Sequence, residues 1–384
     1  MDTTAHAAGR PALPERTEVA IVGAGPTGLA LALTLARAGV DFVLLDRLAE
    51  GANTSRAAVV HARTLEVLDS LGAARQLTSR GLAVDRFSVR EGTRELLNVP
   101  FSRLATPFPY ALLVPQDTTE GVLLETLRRA GGDAYRPYEV AGVAQDEAGV
   151  TLTMATGETL RAAYAVGADG MHSVVREAAG IGFPGGSYGE SFVLADVRAR
   201  WAPGRETVAL LLHERGLALV APLPGDRYRV VATVDEAPER PELAFVQRVM
   251  DERVPGQLRI DEVRWSSRFR VHHRVADRYR AGRLLLAGDA AHVHSPAGGQ
   301  GMNTGIQDGH ALGRAIAQDR VDTYEALRRP VAERVVAFTD RLTRFATLRG
   351  AGGRMARGTL LPLLGRVPTF RTRLATEMAE LNYR

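Results

Sequence analysis

The stretch from residue 18 to 47, EVAIVGAGPTGLALALTLARAGVDFVLLDR, leaves little freedom in how this chain begins to fold. Residues 19–22 are a short apolar run suited to a strand buried in a parallel sheet. Gly23, Gly25 and Gly28 follow as GxGxxG, and an alanine- and leucine-rich helix then runs to Gly39. A second strand, 41–45, delivers Asp46 just beyond its end. The three glycines differ in what they do. Gly23 makes the tight turn, Gly25 lets backbone approach a pyrophosphate, and Gly28 lets the helix pack on the strand. The helix N-terminus faces the phosphates, and Asp46 accepts the ribose hydroxyls. GxGxxG alone is weak evidence, but strand, helix, second strand and acid at these distances point to a dinucleotide. The acid suits NAD or the adenosine half of FAD and argues against a 2′-phosphate. Arg47 beside it either stacks on adenine or stands in solvent.

Two later segments decide between the dinucleotides. In AYAVGADGMHSVVREAAGI an apolar strand ends at Asp169, and a helix starts near Ser173 with Arg176 in its first turns. In LLLAGDAAHVHSPAGGQGMNTGIQDGHAL, residues 284–312, a buried strand ends near Asp289 and glycines stand at 298, 299, 301 and 305. Asp289 is placed to hold a ribityl hydroxyl, residues 298–303 lay backbone beneath a flat ring, and the next helix points its N-terminus at that ring. Gly305, Gly309 and Gly313 share one helix face. Each costs roughly 1 kcal/mol relative to alanine, so close packing, expected here against the sheet, is needed to offset them. His292 and His294 have no third ligand nearby in sequence and read as loop packing rather than a metal site.

Composition removes other chemistries. The 384 residues contain no cysteine, and all 48 basic residues are arginine. Disulfides, thiolate catalysis, cysteine-bound metals, lysine Schiff bases and a P-loop lysine are therefore excluded. The net charge of +4 is spread over alternating arginines and acids, with only 6% aromatic residues, so no nucleic-acid partner is expected. Arg37 interrupts the best apolar run, and no membrane span is expected. Residues 1–17 read as a flexible leader without a signal sequence, which implies a cytoplasmic protein.

The motifs GAGPTG, GADG and AGDAAHVHSPAGGQGMN, in this order and at these separations, resemble the aromatic-hydroxylating flavoprotein monooxygenases of the p-hydroxybenzoate hydroxylase type. SRAAVVHARTLEVLDSLG, VPQDTTEGVLLETL and YEALRRPVAERVVAFTDRLTR resemble the branch acting on aromatic polyketides and antibiotics. The resemblance runs from about Glu18 to the C-terminus, without the thioredoxin-like domain of larger relatives. It implies an α/β fold: a Rossmann-like FAD-binding domain, an inserted and mostly antiparallel β-sheet substrate domain, and C-terminal helices. The corresponding boundaries are 18–80, 101–180 and 267–329 for the FAD-binding domain, 81–100 and 181–266 for the substrate domain, and 330–384 for the helical segment.

For single residues, the resemblance implies Gly23, Gly25, Thr27 and Gly28 at the pyrophosphate and Asp46 and Arg47 at the adenosine end. Arg56 would contact the FAD phosphates, Gln116 the ribityl chain, and the Val140 backbone adenine. Asp169 and Asp289 are the two fingerprint acids. Pro296, Gly299, Gly301, Met302 and Asn303 would line the ring, the last two offering backbone N–H groups to its N1/O2 edge. Asp169 also has a plainer reading, as an acid at a helix N-terminus.

The implied cofactors are FAD, with NADPH or NADH as transient reductant. The implied reaction adds O2 to the reduced flavin at C4a, and the hydroperoxide hydroxylates a phenolic or polycyclic aromatic substrate. Epoxidation, Baeyer–Villiger oxidation, double-bond reduction and non-catalytic binding of an aromatic ligand remain alternatives on the same scaffold. A halogenase is excluded, because it needs a lysine near the flavin. Residues 181–265 alternate turns with apolar strands and read as an antiparallel roof over the substrate. Phe192, Trp201 and His213 are its pocket candidates; no catalytic base and no oligomeric state is assigned.

Overall fold

The structure is a computed structural model that describes residues 10–51, 57–296, 298–346 and 351–383, with the side chains at 188–190 and 343–357 left out of the description. A first sheet has the strand order Arg280–Ala281, Leu284–Leu286, Thr159–Gly167, Arg16–Val22, Phe42–Leu45 and Ala134–Tyr135. From Leu284–Leu286 to Ala134–Tyr135 the neighbours are parallel. The hairpin Val140–Asp146 and Gly149–Met154 extends the sheet beside Thr159–Gly167.

The register decides where a ligand can lie. Leu286 pairs with Gly167, Gly167 with Val22, Val22 with Leu45, and Leu45 with Tyr135. Five strands thus end in one row at their carboxyl edge, where parallel α/β sheets bind ligands. Val19, Ala20 and Ile21 are fully buried, as a strand covered on both faces requires. Helix Pro26–Ala38 starts with proline in its first turn and stops at Gly39 in the left-handed region, φ 71°. Leu29, Leu31, Leu33 and Leu35 are all buried, because helix Gly301–Ala317 covers the side that the sheet leaves open.

A second sheet has the order His292–Val293, Leu258–Val275, Gly185–Trp201, Arg227–Val234, Gly216–Pro222, Thr207–His213, Arg86–Glu91 and Arg94–Pro100. Only the pairing of Thr207–His213 with Arg86–Glu91 is parallel. Leu258–Val275 runs through residue 266 and pairs at its far end with His292–Val293, so the loop after Asp289 is sewn directly to this sheet. A small sheet of Val59–Val60, Ala111–Leu113 and Leu82–Val84 stands between the two.

Helices Tyr324–Ala346, Ala351–Gly365 and Pro368–Met378 follow, and then a 3-10 turn, Leu381–Tyr383. Behind the last of these helices Glu380 is fully buried at φ 60° and accepts a hydrogen bond from Gln307, whose amide also reaches Thr64 Oγ1 at 3.0 Å. Burial pushes its carboxyl up to about 8, against the smaller opposing effects of Gln307 and Arg328. A carboxyl raised in the fold stabilises most below its unfolded pKa, and that stability is lost as pH rises through about 8. Glu380→Gln therefore becomes the more stable chain as pH increases. The stability gap in urea melts should widen by roughly 2–3 kcal/mol between about pH 6 and 9, and a constant gap would show that Glu380 does not titrate in this window.

Candidate cofactor site

At the first turn, Gly23 has φ 103°, and a methyl on it would lie 2.3 Å from the Ala168 carbonyl oxygen. A methyl on Gly28 would lie 1.9 Å from the Gly23 carbonyl oxygen, the close helix-on-strand approach expected for this glycine. At Gly25 a methyl would meet nothing within 4 Å. Gly25 caps a helix with no side-chain cap and no acid in its first turn. Bare amides and a clear approach make this a cradle that fits a diphosphate.

The Asp46 carboxylate is anchored before any ligand arrives: Oδ2 accepts from Ala24 N at 2.8 Å and Oδ1 from Leu48 N at 2.8 Å. It remains half-buried at the rim, while Arg47 is exposed. The Thr27 side chain is packed between Gly288 and Gly305. Methyls on Gly288 and Gly305 would each lie 2.4 Å from its hydroxyl, so that hydroxyl is turned toward helix Gly301–Ala317 and the backbone amide is what faces the turn. Gln116 accepts from Ala57 N at 3.2 Å and donates to Glu120 at 2.9 Å, fixing the chain next to residue 56. Arg56 itself lies outside the described residues. Val140 is buried at the start of its strand, two residues after Tyr138, whose N–H donates to the Asp46 carbonyl at 2.7 Å.

At the other end of the row, Asp169 Oδ2 accepts from Val174 N at 2.8 Å, the helix-end role that was its plainer reading. Its Oδ1 is buried with no hydrogen-bond partner, and burial raises this carboxyl against the opposing pull of Ser173 and backbone amides. Arg176 donates to the carbonyls of Met171 at 2.8 Å and Ala290 at 3.0 Å, tying the Asp169 loop to the Asp289 loop. Asp289 is exposed, in a single 3-10 turn just past Leu284–Leu286.

The glycine loop after Pro296 is held by two residues that the sequence did not single out in this role. His61 donates from Nε2 to the Gly298 carbonyl at 2.8 Å, and its own N–H donates to Asn303 Oδ1 at 2.8 Å. Asn303 Nδ2 returns to the carbonyls of Val59 at 2.9 Å and Gly299 at 2.8 Å. Burial pushes His61 down to about 4, so it is a neutral clasp at ordinary pH. The Asn303 side chain is thus spent on the loop, which leaves its backbone, with Gly301 and Met302, at a helix N-terminus lacking side-chain cap and acid. That geometry fits the electron-rich edge of a flavin.

Contrary to the expected packing on the sheet, Gly305, Gly309 and Gly313 face helix Pro26–Ala38: added methyls would lie 2.4 Å from Thr27 Oγ1, 2.4 Å from the Thr27 carbonyl oxygen and 2.8 Å from Thr34 Cβ. The two glycine-started helices therefore pack backbone to backbone. His292 Nε2 lies 2.6 Å from Asp308 Oδ2, and Asp308 Oδ1 is 2.6 Å from Arg328 Nε. His294 Nδ1 meets the Ser295 carbonyl at 2.9 Å. Among the described residues no three His, Cys, Asp or Glu side chains group as a metal site.

Of the pocket candidates, Phe192 alone faces inward. It stacks on Phe269, centroids 5.6 Å apart, in the core shared with the small sheet. Trp201 lies on the opposite face with Val193, Val197 and helix Leu243–Arg253, and His213 follows Ala209 and Leu211 onto that same face. Burial, then Arg253, lowers His213 there. Alternation separates two faces of a strand but does not say which one meets the cofactor. The inward face also carries Asp196 and Arg229, a buried bidentate pair at 2.7 and 2.8 Å that sequence spacing does not reveal.

The sequence pattern of the FAD binding domain family matches residues 16–339. The chain belongs to this family. It is similar to the 12-dehydrotetracycline 5-monooxygenase/anhydrotetracycline 6-monooxygenase of Streptomyces rimosus, 39% identical over 350 residues that cover 84% of this chain and 69% of the relative. Pentachlorophenol 4-monooxygenase of Sphingobium chlorophenolicum is 32% identical, over 87% of this chain and 66% of its own. Among solved structures, p-nitrophenol 4-monooxygenase from Pseudomonas putida superposes with a TM-score of 0.86 at 26% identity, covering 96% of this chain and 99% of that one. The chain is an FAD-dependent monooxygenase with the fold of the p-hydroxybenzoate hydroxylase type, and NAD(P)H is the reductant typical of its relatives. No helix among the described residues is long and apolar enough to cross a membrane.

Proposed function

We propose that this monooxygenase hydroxylates a phenolic or polycyclic aromatic substrate beneath the Phe192 face of the second sheet, using NADPH or NADH and O2. The observation that carries the reading is one of geometry. The glycine turn and acids at one strand edge fit FAD along its length, and an aromatic, inward-facing sheet is sewn to the loop that would border the flavin ring. FAD, when bound, supplies the redox chemistry that activates O2 toward an electron-rich ring.

The chain supplies the setting. Backbone amides at residues 301–303 favour negative charge on the ring edge by roughly 0.3–2 kcal/mol without offering a proton acceptor. His61 and Asn303 keep those amides in place, and half-buried Phe269, backed by the core residue Phe192, gives a flat substrate an apolar surface that excludes water.

The test is to purify the yellow protein and follow NADPH and NADH oxidation against phenols and polycyclic polyketides under labelled O2. Substrate-stimulated oxidation with one labelled oxygen in a ring hydroxyl is expected. Ligand binding without stimulation would make the chain a binder, and stimulation without incorporated label would make it a reductase. A labelled epoxide or ester product would replace hydroxylation with one of the other two oxidations.

A further inference from the structure

The fifth strand of the parallel row, Ala134–Tyr135, ends on the same edge as the strands that deliver Gly23 and Asp46, and it hands over directly to Arg136. The backbone fixes this placement. Asp46 N donates to the Tyr135 carbonyl at 3.1 Å, and Tyr138 N donates to the Asp46 carbonyl at 2.7 Å, so residues 135–138 wrap around Asp46. The two side chains then grip one residue of the glycine turn from opposite ends. Asp46 accepts from the Ala24 N–H at 2.8 Å, and Arg136 donates from Nη2 to the Ala24 carbonyl at 3.2 Å.

The rest of the guanidinium is not used up by this contact. Nε is buried with no hydrogen-bond partner, and Nη1 lies 3.7 Å from where a Gly51 methyl would stand. Glu120 Oε2 lies 3.5 Å from that same point, so an acid and a cation both border Gly51 there. Glu120 is in turn held through Oε1 by Gln116 at 2.9 Å. A partly buried arginine with spare donors, anchored through Nη2 to the glycine turn and set beside an uncapped helix N-terminus, is built for an anion. The chain has no lysine, so phosphate neutralisation here falls to arginine.

We infer that Arg136 is a further cofactor-binding residue, which recognises the adenylate half of FAD from the side of the glycine turn opposite Asp46. The inference rests on the FAD site described above and adds to it a residue outside the GxGxxG motif.

FMN lacks the adenylate half, so it separates this role from general support of the turn. Flavin-free protein is titrated with FAD and with FMN, for the parent, Arg136→Gln and Arg136→Lys. In Arg136→Gln, FAD affinity should fall about 10- to 100-fold, the loss expected for one charge-assisted contact, with FMN affinity unchanged. Arg136→Lys keeps the charge and should recover part of the preference for FAD. Added salt should weaken FAD binding more in the parent than in Arg136→Gln. Equal losses for both flavins would make Arg136 only a brace for Ala24, and no loss for either would remove it from the site; both overturn the inference while leaving FAD binding intact. A parent protein that binds neither flavin would instead overturn the FAD reading itself.

Discussion

Gly28→Ala should prevent stable folding, whereas Gly25→Ala should fold normally and fail to hold FAD. The two glycines stand three residues apart in one motif, yet their surroundings differ in kind. A methyl on Gly28 would sit 1.9 Å from a backbone carbonyl oxygen, where no flexible side chain can give way. Relief requires the helix to lift from the strand that it covers, and the cost should reach or exceed roughly 3 kcal/mol. Gly25 has φ −76° and ψ −175°, a conformation open to any residue, and empty space where the methyl would go. Flavin-free Gly25→Ala should melt within about 1 kcal/mol of the parent, if anything higher, because alanine restricts the unfolded chain. The methyl does obstruct a diphosphate lying on the helix N-terminus, and a clash of even about 1.4–2.8 kcal/mol weakens FAD 10- to 100-fold. Thermal melts of flavin-free protein and FAD titrations read the two effects separately. Undiminished FAD affinity in Gly25→Ala would mean that the diphosphate does not cross this turn.

That contrast shows what the sequence carries and what it leaves out. The motif specified a turn, a close approach and a packing contact at Gly23, Gly25 and Gly28, because all three are local to one strand–turn–helix. The Gly305, Gly309 and Gly313 face was equally legible as a face, but its partner was not. Helical spacing says that a side must be approached closely and is silent on whether a sheet or a helix approaches it. The Asn303 clasp joins residues 242 apart in sequence, and Arg136 reaches Ala24 across 112. Neither spacing has a signature, because each contact exists only after the parallel strands have aligned their ends. That Trp201 and His213 lie on the face away from Phe192 was illegible for a related reason. A strand with apolar residues on both sides is covered on both, here by helix Leu243–Arg253 on one face and by the small sheet on the other.

Asp308→Asn should be among the most destabilising neutral-for-charged changes in the protein. The Asp308 side chain is fully buried, between a fully buried His292 and Arg328, whose side chain is only 5% exposed. Burial pushes the Asp308 carboxyl up, but Arg328 and then His292 outweigh that and hold it below the ordinary carboxylate range. Its asparagine substitute keeps the shape and strands the guanidinium, and an unpaired buried charge costs about 3–5 kcal/mol. The pH dependence follows from the direction of the shift. A depressed carboxyl contributes stability that is present above its unfolded pKa, near about 4, and lost as pH falls through the folded value. Urea melts of flavin-free protein should therefore show the parent losing its advantage over Asp308→Asn on acidification, while the gap is full near neutrality. The loss should also reach the site. Asp308 accepts from Gly288 N at 3.3 Å, and Arg328 donates to the Thr304 carbonyl at 3.4 Å, so one carboxylate ties the turn bearing Asp289 to the helix proposed to face the flavin. The double variant Asp308→Leu/Arg328→Met removes both charges and should recover much of the stability, since apolar replacement of a buried pair is often neutral. It should not recover FAD retention to the same extent, because the apolar pair fills the space without bonding Gly288 or Thr304. Recovery of both together would mean that the pair serves stability alone, and that the two cofactor loops are held by the backbone contacts of Arg176 and Asn303.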